Sequence, residues 1–156
     1  MLKITIAGIG KDKDRWVTEG AEHFHTLLSR YAAIDYAYLP ALKGTASLSP
    51  DEVRAKEAER LLPAISKGYV IALTDRGKQF DSLKFARLLE RIQVQAQGRL
   101  TFVIGGPHGL APVVLEQADL QLSLSPLTFS HQVVRLVLLE QLFRAFDILK
   151  GGSYHK

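Results

Sequence analysis

The chain has 156 residues, of which 47% are hydrophobic and 23% charged; this balance is typical of one globular domain, here 1–156, and excludes a disordered chain. It has no cysteine, which excludes disulfides, thiolate catalysis, thiolate-bound zinc and cysteine-ligated iron–sulfur clusters. The formal net charge of +4 permits an anionic partner such as RNA, although ordinary surface charge explains it equally well.

Short apolar runs alternate with helical patterns along the whole chain, which predicts an α/β fold with a mainly parallel sheet flanked by helices. The continuous apolar run 69–73 is typical of a strand covered on both faces. The predicted strands are 2–7, 34–39, 69–73, 100–104 and 120–124. The first predicted helix is capped by Asp12 or Asp14 and ends at about 29. The second, capped by Ser49, spans 50–62, and the others span 81–97, 112–118 and 130–149.

The start of the chain, residues 1–6, is strand-like and too short for a signal peptide. No apolar run approaches the ~20 residues that cross a bilayer. We therefore expect a cytoplasmic protein with no membrane partner, and the lack of cysteine is compatible with a reducing compartment.

The last predicted helix is apolar around most of its circumference. Only Glu140, Arg144 and Asp147 form a clear polar stripe on it. A helix of this kind must be buried on more than one side, so we predict that it packs on the sheet and also on a second subunit in a homodimer. Arg135 falls inside the apolar arc, and a charge in that position predicts a partner.

Three predicted strand exits carry residues suited to a ligand. They are 104–109 (Ile-Gly-Gly-Pro-His-Gly), 74–78 (Thr-Asp-Arg-Gly-Lys) and the apolar 124–129 (Leu-Ser-Pro-Leu-Thr-Phe). Ligands of parallel sheets bind beyond the carboxyl ends of the strands, so these exits predict one pocket. Each pattern has a plainer alternative. A tight turn explains the first equally well, whereas taken singly we favour a solvated turn at 75–78 for the second and a buried loop for the third. The glycine spacing is neither a dinucleotide fingerprint nor a P-loop.

The carboxyl-terminal segment 150–156 places an aromatic ring, an imidazole and a cation after two glycines. A flexible joint between a rigid helix and Tyr154-His155-Lys156 predicts a tail that closes a site, whereas the alternative is a frayed terminus. The five histidines show no metal-ligand spacing, so we predict no metal site.

Several stretches together resemble one known family. They are 103–109, 122–131, Val134-Arg135, 140–145 and the terminal Tyr154-His155-Lys156. They are similar to the hallmark stretches of the SPOUT-class ribosomal RNA large subunit methyltransferase H family, and the likeness extends over essentially the whole chain. The resemblance implies an S-adenosyl-L-methionine-dependent homodimer with a deep trefoil knot near the carboxyl end (the α-β knot fold). It also implies methylation of N3 of a pseudouridine in helix 69 of 23S ribosomal RNA, in assembled ribosomes.

The same resemblance implies roles for individual residues. The cofactor contacts would be Leu73, Gly105, Leu124, Ser125, Pro126, Leu127, Thr128 and Phe129, and we add Gly106 by inference. The methyl donor is already electrophilic, so the chemistry needs no metal but does need a proton acceptor for N3. We assign His155 as candidate base, Tyr154 as a group that stacks on or hydrogen-bonds the target base, and Arg144 as a contact for a phosphate or for developing charge. The plainer alternative for Arg144 is a surface pair with Glu140.

Two other interpretations remain at this stage. One is a noncatalytic ligand-binding α/β regulator, which would bind cofactor without turnover. The other is a small ribosome-binding protein without cofactor, in which changes at Gly105 or Leu124 would affect stability alone. The sequence leaves open which subunit contributes the tail, which surface contacts RNA, and whether bare RNA is a substrate.

Overall fold

The computed structural model describes residues 1–65 and 67–156. Within them, five strands and five α-helices follow one another in the predicted order, and a short 3-10 helix, Leu62–Ile65, follows the second α-helix. The strands are β1 (Leu2–Ile9), β2 (Ala32–Leu39), β3 (Tyr69–Gln79), β4 (Arg99–Ile104) and β5 (Leu120–Ser123). The helices are α1 (Arg15–Leu28), α2 (Pro50–Leu61), α3 (Ser82–Gln95), α4 (Pro112–Gln117) and α5 (His131–Leu149).

The sheet is parallel throughout the described residues, with strand order β2-β1-β4-β3-β5. Helices cover both faces: α1, α3 and α5 pack on one, and α2 and α4 on the other. Successive β3 residues alternate between the two cores, with Ile71 in the first and Val70 and Ala72 in the second. This alternation confirms that the apolar run is a strand covered on both sides.

Local sequence sets the start of α2. The Ser49 hydroxyl accepts from the Glu52 amide at 3.2 Å, and the Glu52 carboxylate accepts from the Ser49 amide at 2.7 Å. These hydrogen bonds with Ser49 lower the pKa of Glu52. The predicted cap is therefore confirmed, as a capping box that satisfies two backbone donors.

The predicted turn at 75–78 is wrong, although most of these residues are exposed, as expected. β3 continues to Gln79, and Lys78 and Gln79 pair with Leu122 and Ser123 of β5 after a register shift between Leu73 and Lys78. Gly77 makes this possible, because a Cβ there would lie 2.6 Å from the carbonyl carbon of Leu122. The segment is thus an irregular part of the strand, a β-bulge region beside the sheet edge.

The start of α1 agrees with one of the two predicted caps, because the helix begins at Arg15 with Asp14 as its N-cap residue. The Asp14 side chain makes no capping hydrogen bond, and the Asp12 side chain turns inward instead. Within residues 1–65 and 67–156, none of the helices is long and apolar enough to cross a membrane.

Candidate functional site

A cleft of about 580 Å³ lies where β3, β4 and β5 end. Its size falls within the range of small-molecule sites, about 300–1,000 Å³. Three chain segments line it: 73–75, 104–110 and the loop 124–131 with Val134 of α5, from which Pro126 is absent. The predicted convergence of strand exits on one pocket is therefore what the structure shows, at the edge of the sheet where parallel folds bind ligands.

Eight of the nine residues assigned to the cofactor line this cleft. They are Leu73, Gly105, Gly106, Leu124, Ser125, Leu127, Thr128 and Phe129. Pro126 belongs to the same loop but is exposed and is not part of the lining. His108 and His131, which sequence analysis did not assign, also line the cleft.

The segment Gly105–Gly109 forms a tight turn, the glycine turn, along one wall. The Gly109 amide donates to the Gly106 carbonyl at 3.0 Å and closes the turn. A Cβ on Gly105 would lie 2.5 Å from the carbonyl carbon of Gly109, so the backbone packs on itself here. The absence of side chains at Gly105, Gly106 and Gly109 leaves their peptide groups open to direct contact with a ligand in the cleft.

The opposite wall is the loop 124–130. The Ser125 hydroxyl accepts a hydrogen bond from the Leu127 amide at 3.0 Å. The Ser125 carbonyl accepts one from the Ser123 hydroxyl at 2.9 Å. The Leu127 side chain is 71% exposed although it is large and apolar. The loop therefore offers the cleft an ordered backbone and an uncovered apolar group, a combination suited to a ligand with an apolar face.

Arg135 anchors the helix that follows this loop. It is 1% exposed, and its guanidinium pairs with Asp12 at 2.5 Å and donates to the carbonyls of Ile9 and Gly10 at 3.0 and 2.7 Å. The ring centroid of Tyr38 lies 3.8 Å from the guanidinium carbon. The predicted partner for this charge is thus confirmed, and it ties α5 to the turn after β1.

Burial near this anchor also affects its titratable neighbours. It raises the pKa of Tyr38, although Arg135 acts in the opposite direction. It lowers the pKa of His131 at the start of α5, and the nearby Arg135 charge lowers it further. Both effects favour the neutral form of the side chain, and of the two residues His131 lines the cleft.

The carboxyl-terminal tail folds back onto α5 of its own chain. The Tyr154 amide donates to Asp147 at 2.9 Å, and the Tyr154 hydroxyl donates to Glu140 at 3.0 Å. The Tyr154 ring meets Phe143 edge-on, with 4.9 Å between centroids. Burial and the hydrogen bond to Glu140 raise the pKa of the Tyr154 hydroxyl, which keeps it a donor.

Arg144 joins the tail residues into one cluster. Its guanidinium donates to Glu140 at 2.6 Å, lies 4.7 Å from the Tyr154 ring centroid, and contacts His155 Nδ1 at 3.3 Å. The pair with Glu140 exists, as the plainer alternative expected, but as part of a larger assembly. The three residues predicted to be catalytic are therefore together.

The tail cluster and the cleft are nevertheless apart in a single chain. None of Arg144, Tyr154 and His155 lines the cleft. Val134 of α5 lines the cleft. Glu140, which accepts hydrogen bonds from Arg144 and Tyr154, lies six residues further along the helix, about 9 Å from Val134 at the usual helical rise. The amino-acid sequence does not reveal this separation, because it depends on where the tail docks.

One buried carboxylate near the glycine turn was missed. Glu57 of α2 is 4% exposed, and burial raises its pKa, with His108 and Arg60 acting in the opposite direction. A signal was present in the sequence, because Glu57 lies four residues from both Val53 and Leu61 and so falls on the buried stripe of the helix. Among the residues that the structure describes, no group of three His, Cys, Asp or Glu side chains could hold a metal ion.

Comparison with solved structures identifies the architecture. A probable methylase family protein from Haemophilus influenzae Rd KW20 matches with a TM-score of 0.60 at 15% identity, covering 98% of this chain and 70% of that one. A probable methyltransferase from Bordetella pertussis Tohama I matches with a TM-score of 0.54 at 13% identity, covering 92% and 96%. At such identities the likeness concerns the fold.

Sequence comparison is more specific. The family model described as "Predicted SPOUT methyltransferase" matches residues 2–155. Proteins named "Ribosomal RNA large subunit methyltransferase H" from Carboxydothermus hydrogenoformans and Limosilactobacillus reuteri are each 42% identical, covering 99% of this chain and 100% of the relative. The protein of the same name from Phocaeicola vulgatus is 37% identical, covering 99% of both. The chain therefore belongs to the SPOUT methyltransferase family and, within it, to the ribosomal RNA large subunit methyltransferase H group.

Proposed function

We propose that this protein transfers a methyl group from S-adenosyl-L-methionine to N3 of a pseudouridine in helix 69 of 23S ribosomal RNA, in assembled ribosomes. The observation that carries the proposal is the cleft, whose walls contain seven of the eight residues that the resemblance assigns to the cofactor, together with the inferred Gly106. Full-length relatives named as ribosomal RNA methyltransferases support the same activity.

The cleft fits such a cofactor chemically as well as in volume. The glycine turn offers peptide groups for hydrogen bonds, and Leu124, Leu127 and Phe129 offer apolar contact for an adenine and a thioether. When bound, S-adenosyl-L-methionine supplies an electrophilic methyl group. The residues of the chain must then orient the RNA base and accept the N3 proton.

His155 in its docked position is not ready to act as that base. Arginine has donors only, so the contact at 3.3 Å requires His155 Nδ1 to accept from Arg144. A neutral ring then carries its proton on Nε2, and no ring nitrogen is left to accept another. We infer that the docked tail is a resting arrangement and that His155 leaves Arg144 before Nδ1 takes the N3 proton.

The distance between tail and cleft supports a homodimer with composite sites. In one chain the cleft lacks the tail cluster, so the tail of the second subunit would complete it. The face of α5 that carries Val133 and Val137 offers a surface for the contact between subunits, because both side chains are only half-buried. Trp16 of α1 is also 53% exposed. Burying these apolar groups would stabilise the dimer.

The whole chain, 1–156, is proposed as one domain with 150–156 as its active-site tail. We further infer that its carboxyl-terminal part forms the deep trefoil knot expected of this family. Family membership supports the knot, whereas general topology disfavours one.

RNA contact is proposed for a cationic groove beside α3. Lys78, Lys84, Arg87 and Arg91 line it with a single carboxylate, Glu90. Four cations in one groove, in a chain of net charge +4, would attract phosphates and release counterions. The cluster Lys11, Lys13 and Arg15 is a weaker candidate, because it holds three cations rather than four; one cation is paired in each place, Arg15 with Glu19 and Lys84 with Asp81.

A labelling experiment tests the activity. The purified protein is incubated with radiolabelled S-adenosyl-L-methionine and ribosomes that lack the modification, and the label is mapped by nuclease digestion and mass spectrometry. We expect label on N3 of the helix 69 pseudouridine, and none on ribosomes in which uridine replaces it. Cofactor binding without transfer would reject the proposal in favour of a noncatalytic regulator.

A further inference from the structure

Glu57 occupies an energetically unfavourable position. It is 4% exposed, and its Oε1 atom has no hydrogen-bond partner within the described part of the chain. A buried acceptor without a partner destabilises a fold, and a buried carboxylate does so more strongly. Such a group calls for a physical explanation, and a functional site lies beside it.

The carboxylate lies directly behind the glycine turn. A Cβ on Gly106 would lie 2.6 Å from Glu57 Oε2 and 3.2 Å from Oε1, so the carboxylate packs where a side chain would otherwise be. Gly106 itself lines the cleft. Only the backbone of Gly106 therefore lies between the Glu57 carboxylate and the cleft.

The same helix contacts the turn at a second residue. Arg54, one turn earlier on α2, donates to the His108 carbonyl at 3.0 Å. Arg54 and Glu57 thus both contact the turn: the arginine donates to its His108 carbonyl, and the carboxylate packs against Gly106. The amides of Gly106 and His108 are donors within the turn, whereas Pro107 has none.

We propose that Glu57 is a positioning residue that shapes the glycine turn for cofactor binding, with its two oxygens serving as acceptors for donors of the turn when the cleft is filled. This inference rests on the proposed cofactor. It explains why an unfavourable carboxylate occupies the buried stripe of α2: the chain gives up stability for a correctly shaped site.

The first test is Glu57→Gln, with Glu59→Gln on the exposed side of α2 as the matched control. Glutamine keeps the volume but replaces one acceptor with a donor, whichever way the amide is turned. We expect the Kd for S-adenosyl-L-methionine, measured by calorimetry, to rise about tenfold, as for one net hydrogen bond. The KM for this cofactor should rise equally with little change in kcat. The Tm should increase by about 3 °C, because the buried charge is gone.

This combination separates positioning from a purely structural role. A lower Tm would show that Glu57 is structural and would overturn the proposal. A raised or unchanged Tm with an unchanged Kd would overturn it equally, because the carboxylate would then be irrelevant to the cleft. A wild-type protein that bound no S-adenosyl-L-methionine would reject the proposed function itself, and with it the role of Glu57.

A double substitution provides the second test. Gly106→Ala adds a methyl group against Glu57 and should weaken cofactor binding about tenfold or more, the factor for one lost hydrogen bond in the displaced turn. In Gly106→Ala/Glu57→Ala the methyl group has room, so the combined loss of affinity should be smaller than the sum of the two single losses. Additive losses in the pair would show that the two residues act independently and would overturn the proposed contact.

Discussion

The buried pair of Arg135 and Asp12 allows a quantitative prediction. Asp12→Asn removes the charge opposite a guanidinium that is 1% exposed. Breaking a buried ion pair from one side costs about 3–5 kcal/mol. The carbonyls of Ile9 and Gly10 and the Tyr38 ring remain as partners for the guanidinium. We therefore expect the low end of that range, a loss of about 3 kcal/mol in the free energy of unfolding.

Urea denaturation measures this loss as a lower midpoint with an unchanged slope. Asp14→Asn is the matched control, because Asp14 is exposed and its side chain makes no capping hydrogen bond. Adding Arg135→Met to Asp12→Asn should recover part of the loss, since the isolated charge is then removed. A loss below about 1 kcal/mol for Asp12→Asn would refute the argument, because only an exposed pair contributes so little.

Three further predictions concern pH, catalysis and RNA. Because burial raises the pKa of Glu57, the stability associated with its proton is complete below the unfolded-state pKa and is lost as pH rises through the folded-state pKa. Thermal unfolding across this range should therefore show Glu57→Gln more stable than wild type at neutral pH and equal to it in acid. His155→Ala should slow methylation about 100-fold with unchanged cofactor affinity, as expected for loss of a general base. Arg87→Glu should weaken ribosome binding and reduce its salt dependence.

Each of these has a distinguishing control. A constant difference between Glu57→Gln and wild type at every pH would contradict the titration argument. Tyr154→Phe keeps the ring but removes the hydrogen bond to Glu140, so equal turnover in both tail variants and wild type would rule out a role for the tail. Lys56→Glu makes the same charge change as Arg87→Glu on α2 and should leave ribosome binding nearly intact.

The α/β class, the order of the elements and most of the cleft could be predicted because they depend on local patterns. These patterns are the alternation of apolar residues, the Ser49 cap and the glycines after β4. Each determines the conformation of backbone only a few residues away. Even the need of Arg135 for a partner followed from helical periodicity. That Asp12 is this partner did not, because the two residues are 123 positions apart and meet only after the sheet is assembled.

Tertiary contacts decided the rest. Residues 74–78 have the composition of a turn, yet they form an irregular part of β3, because Lys78 and Gln79 return to pair with Leu122 and Ser123 of β5. Sequence likewise identified Arg144, Tyr154 and His155 as a group but not their position away from the cleft. The amino-acid sequence by itself determines which elements form and which residues can react. Contacts between segments distant in the chain determine where those residues meet, because packing energy depends on the whole assembled fold.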